Sequence, residues 1–333
     1  MAVFFSVLTM SLFPAPQALA APEFIKPVAC ALGQDCWIAN YMDVDGNENS
    51  AADFKCGPRS YDTHKGVDFA IRDLVTMETG VDVLAAADGK VLRFRDGVAD
   101  KILSREELDA IKSENRGCGN GVFIDHGDGW NTIYCHMKKD SLTVKEGQTI
   151  KAGDILGQVG HSGAAEFPHL HFGVFFENTP VDPFTGRDDS EGCGHSVAGS
   201  LWQEAAIKDY QPLIIYASGF TGHAPDFQAI KIDASSPDTI KTDSHALVFW
   251  AGMFGVKEGD RIDIEVTDPL GRIFATRSLE QDKTRARQFY YVGRRTNVQP
   301  LIPGRYKGTI EIRRTSGNGA VTIDKHEKFI DVE

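Results

Sequence analysis

From His64 to about Phe184 the chain is written in short β-branched and aromatic runs, each closed by a glycine turn. The runs are Val81 to Ala87, Lys90 to Phe94, Gly121 to Asp125, Asn131 to His136, Asp154 to Val159 and His169 to Phe176. Runs of this length between turn residues predict strands, and this region reads as an antiparallel β domain. One stretch breaks the rhythm. Between Phe94 and Gly117, Ser104 followed three residues later by Glu107 forms a capping box, which predicts a short helix inserted over one rim of the sheet. Beyond about residue 226 strand-like runs return at Phe227 to Ile232, Ala246 to Trp250, Arg261 to Val266, Ile273 to Thr276, Arg287 to Val292, Tyr306 to Ile312 and Val321 to Val332. Turns such as Asp268 to Gly271 separate them, and the spacing suggests an immunoglobulin-like β-sandwich. The expected fold class is therefore all-β dominated, an antiparallel β-sheet domain followed by a β-sandwich.

The 333 residues allow about two domains by length. Residues 1–20 carry no charged side chain, hold an apolar run from Val3 to Leu12 and end in Ala18-Leu19-Ala20, the pattern of a cleaved signal peptide. A bilayer span needs about 20 apolar residues, and this run is shorter and is broken by Pro14 and Pro16. No transmembrane segment is expected in the mature chain. The divisions expected are a signal peptide at 1–20, a disulfide-pinned segment at 21–60, the first β domain at 61–190, a connection at 191–225 with a short helix near Leu201 to Lys208, and the sandwich at 226–333.

Six cysteines, an even set in an exported chain, argue for disulfides in an oxidising compartment, either periplasmic or extracellular. Closeness in the chain favours Cys118 with Cys135 and Cys36 with Cys56. No CxxC pair is present, which disfavours a cysteine zinc site. The net charge of −12 disfavours nucleic acid, because phosphate binding draws on clustered Lys and Arg. Oligomeric state is not legible.

Two spacings carry the chemistry. His64 and Asp68 stand four apart in THKGVDF, and His169 and His171 stand two apart in PHLHFGV. In a strand, residues two apart share a face, so the HLH histidines project together while Leu170 and Phe172 point into the core. Two imidazoles and a carboxylate form a known catalytic zinc set that leaves one position open, whereas structural zinc sites are closed and usually cysteine-rich. Which HLH histidine coordinates stays open on spacing alone. His136 ends the strand after IDHGDG, and strand alternation places it with Tyr134 and apart from Cys135.

HKGVDF, VLAAADGKV, VFIDHGDGWNTIYCHM, VKEGQTIKAGDILGQVGHSG and PHLHFGV occur in an order that resembles the lysostaphin-type, or LytM-type, peptidoglycan endopeptidases. The resemblance covers about a third of the chain. It implies one Zn2+ per chain on His64, Asp68 and His171, with His136 and His169 as catalytic histidines that stabilise the tetrahedral intermediate or handle protons. It also implies bacterial peptidoglycan as the substrate, cut at stem peptides or cross-links. The chain departs from the family pattern at Ile71 to Gly80, at the Leu103 to Asn115 insertion and at Ser162 to Pro168, all loops expected to wall the groove.

Other motifs carry less. Asp43 to Asn49 has its glycine at the wrong loop position for an EF-hand. His126 and His161 precede glycine turns and read as turn-packing residues. Phe249, Trp250, Phe254, Tyr290 and Tyr291 read as sandwich core before a sugar-stacking platform. The rival readings are a non-catalytic wall-binding or hydrolase-activating protein on the same fold, and a zinc peptidase that acts on proteins.

Overall fold

The computed structural model describes residues 21–188, 190–296, 300–315, 319 and 321–333. The expected signal peptide lies outside them. Among the described residues no helix is long and apolar enough to cross a bilayer.

The first half is organised by one nine-stranded sheet. Its main path runs Cys36–Asn40, Val67–Ile71, His169–Phe176, Trp130–Met137, Asn120–Gly127, Gly89–Arg95 and Thr149–Ile150, each neighbour antiparallel to the next. Alternation divides its two faces. Val67, Phe69, Leu170, Phe172, Tyr134, Val122 and Ile124 enter the core, where the Trp202 ring meets Phe24, Phe69, Phe172 and Phe184. The opposite face is left for Asp68, His169 and His171.

The segment 21–60, expected only as a disulfide-pinned stretch, contributes a full strand to this sheet. Cys36–Asn40 lies beside Val67–Ile71, with Asn40 opposite Asp68. Its CWIAN sequence is too short to stand out between cysteines and turns. The capping-box helix forms at Arg105–Ser113, with Ser104 and Glu107 satisfying each other's backbone, and none of its residues is buried. It sits on the rim rather than in the core.

Three disulfides join Cys30 to Cys36, Cys56 to Cys193 and Cys118 to Cys135. The second of the two expected pairs was Cys36 with Cys56, and it is wrong. Cys36 begins a strand that carries the chain away from it, so it bonds back across the tight turn at Gly33, while Cys56 is met by a segment 137 residues on.

The second half is a sandwich of two sheets. One holds Ile214–Thr221, Ala246–Val256 and Arg285–Arg295; the other holds Thr239–Ile240, Val321–Val332, Gly304–Thr315, Arg261–Thr267 and Ile273–Glu280. Leu247, Phe249, Ala251 and Met253 face Ile262, Ile264, Ile310 and Ile312 between the sheets. Every residue of Ala246–Val256 is buried, because its other face is also covered. Trp250 and Phe254 pack there with Tyr216 and Ile214 against Trp37, Ala39, Ala70 and Phe167 of the first half. A strand buried on both faces reads as an unbroken apolar run, which is why its aromatics looked ambiguous in sequence. Tyr291, by contrast, is 45% exposed.

Two local readings change. Phe227–Ile232 is a short helix, not a strand: Asp226 caps it through the Gln228 N–H, and Ile230 is its buried residue. Ile214–Thr221, inside the stretch read as connection, is a buried strand, and the helix expected near Leu201 to Lys208 is a 3-10 turn at Ala205–Lys208. Short apolar runs do not reveal their period, and that ambiguity accounts for the first two.

Candidate metal centre and groove

Register builds the centre. Asp68 lies opposite His171 on the adjacent strand, and His171 lies opposite Cys135 on the next. His64 arrives from the loop before Asp68. That loop is clamped by Asp43, which donates its N–H to the His64 carbonyl at 2.8 Å and accepts the Thr63 N–H at 3.0 Å. Thr63 takes a positive φ of 64° to turn the chain. The acidic loop therefore shapes the backbone that presents His64.

Asp68 is 1% exposed. Its Oδ1 lies 3.0 Å from His64 Nε2 and 3.0 Å from His171 Nδ1, and those two nitrogens are 3.1 Å apart. Its Oδ2 accepts from Asn40 Nδ2 at 2.9 Å. The His64 Nδ1–H donates to the Tyr41 carbonyl at 2.7 Å, which leaves Nε2 as a lone pair aimed at Asp68 and His171. Burial pushes the Asp68 carboxyl up, but the neighbouring histidines and their hydrogen bonds outweigh it and hold it well below the usual carboxylate range. Burial holds the His171 imidazole down, against the pull of Asp68.

Two imidazole nitrogens and a carboxylate oxygen converge here within 4.8 Å of one another. Tetrahedral ligation at about 2.0–2.1 Å separates ligand atoms by roughly 3.3 Å, close to the spacing found. A buried carboxylate against imidazole lone pairs is a donor set that fits a divalent cation. The second HLH histidine stands farther off, with His169 Nε2 3.6 Å from Asp68 Oδ1. Within the HLH pair, His171 Nδ1 is the nitrogen nearer to Asp68 Oδ1.

His136 and His169 lie beside this triad, with ring centroids 4.6 Å apart. Each donates Nδ1–H to a backbone carbonyl at 2.8 Å, His136 to Ser162 and His169 to Phe167, so each turns Nε2 away from its anchor. Burial first, then the charges of His169 and His171, hold the His136 imidazole well below its ordinary range. Strand alternation had grouped His136 with Tyr134, and the structure separates them. Tyr134 stays in the core, its hydroxyl accepting the Ala86 N–H. Pairing slips between Asn120 and Val122, and His136 adopts a φ of +63°, which turns its ring to the side used by Cys135 and His171.

Asp68, His136, His169 and His171 border a groove of about 560 Å³. Leu108 and Lys112 of the inserted helix, the Cys118 and Cys135 disulfide, and Glu166 and Phe167 of the altered loop also line it. Tyr61, 49% exposed, stacks on the His64 ring at 4.3 Å. Neither Tyr61 nor Asn40 was singled out from sequence: Asn40 lies 28 residues from its partner, and only strand pairing joins them. The turn histidine His126 bonds Asp88 O and Thr132 Oγ1 away from this centre.

Residues 62–183 match the model of peptidase family M23. The peptidoglycan DD-endopeptidase ShyB of Vibrio cholerae is 32% identical over 119 residues, 36% of this chain and 22% of that protein. The cell division protein DipM of Caulobacter vibrioides is 42% identical over 121 residues, 34% of this chain and 18% of that protein. Among solved structures, the catalytic domain of lysostaphin from Staphylococcus simulans is 29% identical, covering 37% of this chain and 77% of that one with a TM-score of 0.26. The match to ShyB and DipM thus spans about a fifth of their length. Residues 62–183, which hold His64, Asp68, His136, His169 and His171, are a peptidase family M23 domain of the lysostaphin, or LytM, type.

Proposed function

We propose that this chain is an exported zinc-dependent endopeptidase that hydrolyses peptide bonds in the stems or cross-links of bacterial peptidoglycan. The observation that carries the reading is the convergence of His64, Asp68 and His171 on one point, with His136 and His169 beside it. The first three would hold one zinc ion. Zinc bound by such a set supplies Lewis acidity, which polarises a carbonyl and lowers the pKa of a water toward about 7.

The chain's own residues do the rest. The Tyr41 carbonyl fixes the tautomer of His64, and Asn40 takes one carboxylate oxygen of Asp68, so the ligand set is oriented before any ion arrives. His136 is neutral near pH 7 because burial disfavours its cation, so its Nε2 is free to take a proton from the attacking water. His169, oriented by Phe167 O, faces the same space and serves the developing oxyanion or the leaving amine. Export is supported by the leader-like first twenty residues and the three disulfides.

The test is digestion of purified peptidoglycan by zinc-loaded wild type and His171→Ala, with mass analysis of the released muropeptides. New peptide termini from wild type alone support the reading. Equal release by both would sink the metal assignment. Wall binding without new termini would favour the activator reading, and cleavage of a protein but not of peptidoglycan would move the substrate elsewhere.

A further inference from the structure

His169 is held from outside its own sheet. Its Nδ1–H rests on the Phe167 carbonyl at 2.8 Å, and the two rings lie 4.8 Å apart. The loop that carries Phe167 is tied by its main chain at Ala164, whose N–H goes to Gly117 O, and at Pro168, whose carbonyl takes the Ile71 N–H. Between those ties, Phe167 is fixed by what packs on its ring, and it is 9% exposed.

Part of what packs on it comes from the sandwich. Phe254 meets Phe167 at 5.6 Å, and the Arg287 guanidinium carbon lies 5.4 Å from the Phe167 ring centre. Arg287 is itself pinned, with Nε and Nη2 both donating to the Tyr216 hydroxyl at 2.9 and 2.7 Å. Tyr216 stacks on Phe254 at 4.5 Å. The remaining nitrogen, Nη1, is buried without a hydrogen-bond partner among the described residues, so aromatic faces are what this cation has instead. A guanidinium among three rings is attracted by their quadrupoles and resists displacement of any one of them. The docking is fixed elsewhere as well: Asp73 of the first half accepts the Ala234 N–H at 2.9 Å.

We propose that Arg287 and Phe254 are positioning residues for His169, acting through Phe167, so that the sandwich is a working part of the groove and not a separate wall-binding module. If the Phe167 carbonyl shifts, the His169 imidazole loses the bond that sets its tautomer and the direction of Nε2. This inference rests on His169 as a groove-side catalytic group.

The test uses the full-length zinc-loaded chain, wild type, Arg287→Ala and Arg287→Lys, on a soluble cross-linked muropeptide dimer. Long-range 1H–15N spectra of the histidine rings, with His169 identified by its loss in His169→Gln, supply a readout independent of turnover. For Arg287→Ala we expect kcat to fall about tenfold with KM within about twofold and zinc content unchanged, the signature of an interaction lost in the transition state. The His169 ring signal should shift, and Arg287→Lys should recover part of both effects. A wild-type kcat and an unmoved His169 signal in Arg287→Ala would overturn the proposal, as would a lower kcat that only tracks the unfolded fraction. If wild type cleaves nothing while the His169 signal still moves in Arg287→Ala, the positioning stands and the hydrolase reading falls.

Discussion

Asn40 donates its side-chain amide to Asp68 Oδ2 at 2.9 Å, which leaves Oδ1 alone to face the two imidazoles. Partners of this kind typically contribute about 10–100-fold in metal affinity by orienting the ligand. Asn40→Ala is expected to weaken zinc binding by about that factor while the fold persists. Competition against a chromophoric chelator measures it, and an unchanged affinity would show the bond to be incidental.

The metal set and the flanking histidines should separate on mutation. His64→Ala and His171→Ala are expected to lose both zinc and hydrolysis. His136→Ala should keep stoichiometric zinc yet lose about 10²–10⁴-fold in kcat, the usual contribution of a positioned acid or base. Elemental analysis beside turnover distinguishes the two classes, and loss of zinc in His136→Ala would recast it as a ligand.

The three disulfides close loops of very different size, with separations of 6, 17 and 137 residues. Restriction of the unfolded chain then ranks them at about 2, 3 and 5 kcal/mol. Paired Cys→Ser variants, unfolded in urea, should follow that order. The Cys118 and Cys135 pair should in addition lower kcat, because the His136 N–H rests on the Cys118 carbonyl at 2.8 Å.

Asp182 gives a pH signature outside the groove. Burial, aided by the charge of Asp53 and opposed by hydrogen bonds from Thr185 and Phe184, raises its pKa from 3.8 to about 6. A carboxyl raised on folding favours the native state fully below its unfolded pKa and loses that contribution as pH rises through the folded value. The loss therefore falls between about pH 4 and pH 6, and amounts to about 3 kcal/mol for a shift of this size. From pH 4 to pH 7, wild type should lose that much stability relative to Asp182→Asn, as read from urea midpoints. A constant gap between the two proteins would show that Asp182 titrates normally.

The inserted helix should govern substrate choice more than folding. It buries no residue, yet Leu108 and Lys112 line the groove. Replacing Leu103 to Asn115 by a short glycine turn is expected to leave zinc content intact and to change KM more than kcat on the muropeptide dimer. A fall in thermal midpoint without a change in KM would assign the helix a structural role.

The groove was legible where chemistry and periodicity coincide. HxxxD and HLH are short-range patterns, and strand alternation alone puts His169 and His171 on one face. The rest depended on pairing across the sheet. Asn40 meets Asp68 only because Cys36–Asn40 joins the edge beside Val67–Ile71. His136 defied alternation because pairing slips one strand away, and a slip of that kind leaves no mark in YCHM itself. In the sandwich, FQAIKI is too short to distinguish a turn of helix from a strand, and the apolar LIIYASGF run was hidden among loop residues until its partner, Ala246–Val256, was found opposite it.

The left-handed backbone at His136 sets stability against function at a single residue. L-residues pay about 1–2 kcal/mol in this conformation, and glycine is the residue that occupies it freely. Thermal selection with no assay for turnover would therefore be expected to trade this histidine away early, and heat-hardened descendants of the chain should be checked first at position 136.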